Sequence, residues 1–99
     1  MSKHKIILKK QHEPEALKFQ VIIKEVNGTT THIITINNNF LDLLSKNHSH
    51  EEIVIAVFHF LLDREPKEKI LKNFDISIIL YYFPNFFSEI SSYLSNTKN

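Results

Sequence analysis

Apolar and polar positions alternate with a period of two from Phe19 to Ile36, and from Asn37 onward the period becomes that of a helix. The runs Phe19–Val26 and Thr29–Ile36 are rich in β-branched residues and flank Asn27-Gly28. Asn-Gly is a strong hairpin signal, because both central positions of a type I′ turn need positive φ. A two-residue loop there would set Val26 opposite Thr29, Lys24 opposite Thr31, Ile22 opposite Ile33 and Gln20 opposite Thr35. On the other face Phe19 would meet Ile36, Val21 would meet Ile34, and Ile23 would meet His32. One face is then apolar and the other mostly Thr, Lys and Gln, as a half-buried ribbon requires. Ile22 and Ile33 are the exceptions, lying on the polar face. A two-stranded ribbon is marginal alone, so this pair predicts cover from a third strand at Ile6-Ile7-Leu8 or from another chain, in preference to simple exposure of two apolar residues.

The helical half reads as four to five short elements. Asn38 or Asn39 can cap a helix carrying Phe40, Leu41, Leu43 and Leu44. Ser49 and Glu52 form a capping box that opens a central helix over 50–63. Its run Ile53–Phe58 is apolar around the whole circumference, which marks a helix buried on most sides. Pro66 is placed to start another helix, to about Asn73. Asp75 can cap a further one with Ile76, Ile79, Leu80 and Phe83. After Pro84, Phe86, Phe87, Ile90, Tyr93 and Leu94 share one helical face. The fold class predicted is α+β: an antiparallel hairpin, with a third N-terminal strand left open, packed on these helices. Residues 1–12 read as a basic arm or edge strand, with His12 to Glu15 as a loop, residues 13–95 as a single domain, and 96–99 as a polar tail.

Composition narrows the classes further. Ninety-nine residues suffice for one core. The longest apolar run is six residues, against roughly 20 for a membrane span and about 7–15 for a secretory signal core. With no such segment and no Cys, a cytoplasmic location is expected, and thiolate chemistry and sulfur-ligated zinc are excluded. Eleven Lys against one Arg, fourteen Ile and nine Asn suit an AT-rich bacterial genome. That bias singles out Arg64, since a lone guanidinium suggests a planar contact that Lys would not copy. The net charge of +1 comes from the arm, where Lys3, Lys5, Lys9 and Lys10 face no acid.

The segment FLLDREPKEKILKNFDISIILYYFPNF, beginning at Phe60, resembles a group of short bacterial proteins of unknown function. Lys69 departs from their pattern, where a small residue is commoner. The resemblance implies a compact soluble domain and brings no activity. Within the motif Phe60, Leu61, Leu62, Ile70, Leu71, Phe74, Ile79, Phe83 and Phe86 are core candidates. Asp63, Arg64, Glu65, Pro66 and Asp75 form a structural junction, in which Arg64 would clamp carbonyls or an acid such as Asp75 or Glu68.

Catalytic chemistry finds little support. The six His include His48-x-His50, with His59 nine residues on, but they lack the four-residue helical spacing of a zinc site. The single Gly, Gly28, leaves neither a nucleophile elbow nor a phosphate loop. An enzyme would require a pocket gathering His59, Arg64 and an acid. No metal or cofactor is expected. The expected function is non-enzymatic: a protein-interaction or small structural module, with a homodimer as one form. Ile22, Ile33, Tyr81, Tyr82 and Tyr93 are its interface candidates, since exposed aromatics enrich interfaces. The alternative is a weak nucleic-acid binder using the basic arm. A helix-turn-helix over 66–83 offers no cation on its second helix.

Overall fold

A computed structural model describes residues 4–11, 16–44 and 48–97. The loop read at His12 to Glu15 lies outside them. The described residues form a four-stranded mixed sheet and four α-helices. Strands β1 (His4–Gln11), β2 (Ala16–Glu25) and β3 (Gly28–Asn37) are an antiparallel meander, and β4 (Asn73–Asp75) adds to β3 in parallel. Between β3 and β4 the chain crosses over through α1 (Asn38–Leu44) and α2 (His50–Leu62), and it ends in α3 (Ser77–Tyr82) and α4 (Phe86–Thr97). The N-terminal arm is thus a third strand, with Ile7 directly opposite Ile22.

The hairpin register differs from the one expected. Val26 and Asn27 form the loop, Glu25 pairs with Gly28, and the positive φ falls on Gly28 alone, at +145°. Asn27 therefore holds no left-handed conformation, and no type I′ turn forms. The shift is two residues, so every side chain keeps its predicted face while its partner changes. Ile22 meets Thr31, and Ile33 meets Gln20 rather than Ile22. Leu17, Phe19, Val21, Ile23, Ile34 and Ile36 are buried under the helices as their alternation requires.

Helix α2 is the central element. Its capping box is complete, with Ser49 N–H donating to Glu52 Oε1 at 2.8 Å and Glu52 N–H donating to Ser49 Oγ at 3.1 Å. Seven of its residues are buried, Ile53 and Phe60 among them, so its apolar circumference has the sheet and α4 as partners. The cap of α1 is Asn37, whose Oδ1 accepts from Phe40 N–H at 2.9 Å, rather than Asn38 or Asn39. The helix expected after Pro66 is a single 3-10 turn, Lys67–Lys69, followed by β4. Parallel pairing decides this. Ile33 N–H donates to the Lys72 carbonyl at 2.8 Å, and Ile76 N–H donates to the Thr35 carbonyl at 2.9 Å. Those bonds pull the chain straight just where a helix would need it coiled. Asp75 does cap: its Oδ1 accepts from Ser77 N–H at 2.9 Å. Helix α4 continues through Thr97, past the boundary expected for a polar tail. No helix among the described residues is long and apolar enough to cross a membrane.

Candidate interaction surfaces

An apolar groove of about 360 Å³ opens between the end of α2, the segment leading into β4, and α3. Its floor is Leu61, Ile70, Phe74 and Ile79, all buried, because α2 and α3 both lean their apolar faces toward β4. Leu71 and Tyr82 stand at its mouth, 51% and 63% exposed. Tyr81, 78% exposed, packs edge-on against Tyr82 with ring centroids 5.2 Å apart. Glu65 and Lys69 add one charge of each sign to the lining. Leu71, expected in the core, therefore belongs to the surface. Tyr81 and Tyr82, two of the interface candidates, are exposed.

Tyr93 has a different role. It is half-buried, and its hydroxyl donates to Asp63 Oδ2 at 2.6 Å and accepts from Arg64 Nη1 at 3.1 Å. Burial foremost, and then the bond to Asp63, push the phenol above its ordinary pKa. Arg64 does clamp a carbonyl and an acid. Nη1 donates to the Phe60 carbonyl at 2.9 Å, Nη2 to Glu89, and the guanidinium lies 3.7 Å from the Phe60 ring centroid. The acid is Glu89 of α4, however, instead of Asp75 or Glu68. Asp75 sits on β4, and Glu68 is engaged by Lys67 at 2.5 Å. The five junction residues thus diverge: Asp63 and Arg64 face α4, Glu65 faces the groove, Pro66 precedes the 3-10 turn, and Asp75 caps α3.

The second surface is the side of the sheet away from the helices. Its register places Lys5, Ile7, Lys9 and Gln11 of β1 beside Lys24, Ile22, Gln20 and Lys18 of β2. Thr29, Thr31, Ile33 and Thr35 continue it on β3, and Asn73 and Asp75 on β4. None of these side chains is buried. Ile7, Ile22 and Ile33 form an oblique half-buried stripe across it, of which the sequence pattern had shown the last two.

Among the described residues the titratable groups are dispersed over several contacts. His59 lies 5.7 Å from His4 between ring centroids, while Arg64 is directed at α4, and neither lines the groove. His32 is buried. One ring nitrogen, Nδ1, lies 2.8 Å from the Leu71 carbonyl, and Nε2 lies 2.8 Å from Thr30 Oγ1. A carbonyl can only accept, so Nδ1 carries the proton and the Thr30 hydroxyl donates to Nε2. Lys67, 1% exposed, reaches Glu25 at 3.0 Å, Glu68 at 2.5 Å and Asn27 at 3.3 Å. Its bond to Glu68, with help from Glu25, holds the ammonium above its ordinary pKa. Among the described residues no group of His, Asp or Glu is arranged to hold a metal ion. No family model, curated protein or solved structure matches the chain.

Proposed function

We propose that this protein is a non-catalytic binding module that receives an apolar segment of a different protein in the groove between α2, β4 and α3. The observation that carries the reading is the clustering of Leu71, Tyr81 and Tyr82. They are half of the six large apolar side chains exposed among the described residues, and all three stand at or beside one groove. A folded chain gains by burying such side chains, and Tyr supplies anchoring area at low entropic cost. The volume, about 360 Å³, is at the small end of ligand sites and suits a pair of large apolar anchors. Opposite charges at Glu65 and Lys69 favour an amphipathic segment over a wholly apolar one. Self-association through the sheet is opposed by charge. Antiparallel pairing of two β1 edges about Ile7 would set Lys5 against Lys9, and a two-fold contact of the open faces would bring lysines together.

Selection of peptides from a random display library tests the proposal. Binders are expected to share two apolar anchors one helical turn apart. They should lose at least tenfold in affinity to Leu71→Glu and Tyr82→Glu, whose side chains are exposed enough to leave folding intact. Binders indifferent to both variants, or none at all, would overturn it. Light scattering identifies the other occupant: a dimer abolished by Leu71→Glu would make the groove a contact between copies and sink the hetero-partner reading.

A further inference from the structure

Among the described residues, the open sheet face carries Lys5, Lys9, Lys18 and Lys24 against a single acid, Asp75, which is engaged in capping α3. None of the four lysines has an ion pair among the described residues, whereas Arg64 and Lys67 on the helical side are both paired. Lys5 and Lys24 are direct cross-strand partners. Like charges so placed destabilise a sheet unless an anion lies between them. Around the lysines stand Thr29, Thr31 and Thr35 with Gln11 and Gln20, hydroxyls and amides of the kind that contact phosphate and sugar.

We propose that this face binds single-stranded nucleic acid through its phosphate backbone, independently of the groove. Lysines at the centre of a protein–protein contact are disfavoured. Here they alternate with Ile7 and Ile22 along the same strands instead of ringing an apolar centre. A repeating polyanion matches that distribution better than an acidic protein patch. The isoleucine stripe offers apolar contact to bases and sugars. Duplex grooves do not fit the surface. Four strands spaced about 4.8 Å apart span roughly 14 Å before side chains are added, and the major groove, about 12 Å wide, admits a two-stranded ribbon.

Fluorescence anisotropy with a labelled oligothymidine of roughly 16 nucleotides measures the binding. Four phosphate contacts on a single strand predict a slope of log affinity against log salt of about −3, or about fifty-fold weaker binding on going from about 50 to 200 mM salt. The double variant Lys5→Gln/Lys24→Gln should halve the slope. It should also melt no lower than the parent, because it removes a like-charge pair. Leu71→Glu, in the groove, should leave the oligonucleotide affinity unchanged. The proposal is overturned by a salt-independent or undetectable signal, or by equal affinity in the double variant. It is equally overturned if a duplex of the same length binds as tightly, or if poly-glutamate competes as well as the unlabelled strand, which would assign the face to acidic protein.

Discussion

Arg64 shows what a single side chain does at the junction between α2 and α4. Its planar head lies over Phe60 while its two terminal nitrogens divide among a carbonyl, a phenol and the Glu89 carboxylate. An ammonium can take one or two of those acceptors, but it cannot keep the fork and the ring contact together. The side chain is 26% exposed, so solvent screens the ion pair only in part. Arg64→Lys is expected to cost about 1–2 kcal/mol, from one charge-assisted bond and the stacking. For a domain of this size that lowers Tm by roughly 5–10 °C. Calorimetry on the two proteins checks it, and an unchanged Tm would show that the fork and the ring contact add nothing to stability that Lys cannot supply. The rarity of Arg beside eleven Lys was the only sign of this role in the sequence. Its acid partner, 25 residues away on another helix, left no local signal.

At the scale of elements, the hairpin separates what pattern determines from what turn chemistry determines. Alternation chose the buried face of β2 and β3 correctly, because a period of two has only two faces to choose between. It could not choose between registers two residues apart, which bury the same side chains. The turn decides, and here Gly28 alone takes positive φ while Asn27 uses its side chain to accept from Lys67. Gly28→Ala therefore strains the backbone even though an added Cβ would meet nothing within 4 Å. The expected cost is about 1–3 kcal/mol, read from the urea midpoint. Asn27→Gly, which would relieve a positive-φ Asn, should instead destabilise, and stabilisation by it would restore the type I′ register. Strand β4 was illegible for a related reason. Three residues, Asn73-Phe74-Asp75, are too few to show alternation, and Glu68 to Lys72 before them are good helix formers. Its identity comes from the free edge of β3, a tertiary fact. The groove inherits that difficulty, since β4 forms one of its walls; only the excess of Tyr81 and Tyr82 announced it.

Across the whole molecule, the two halves are stitched by a few polar links that cross from the hairpin to the β4 approach. His32 bonds the Leu71 carbonyl, and Lys67 bonds Glu25 and Asn27. These links make folding stability depend on pH. Burial foremost, with the Lys72 charge adding to it against the Leu71 bond, lowers the pKa of His32 from its ordinary 6.5. Burial and then the nearby His4 lower His59 in the same direction. Above about pH 6.5 both rings are neutral folded and unfolded, so their contribution is full and flat. Below it the unfolded chain takes up protons first, and stability falls until the lowered folded-state values are passed. The hydrogen bond from Lys67 lowers Glu68 from 4.5, so that group loses its contribution in a separate, more acidic window. Lys67, raised from 10.5, loses its own only in alkali. Urea unfolding at about pH 7 and about pH 5 thus isolates the histidines, and the protein should be less stable at the lower value. His32→Asn should be less stable than the parent at pH 7 yet lose less on acidification, because its unfolded state has one proton fewer to gain. Equal stability of the parent at both pH values would mean that His32 and His59 take up a proton as easily in the folded chain as in the unfolded one.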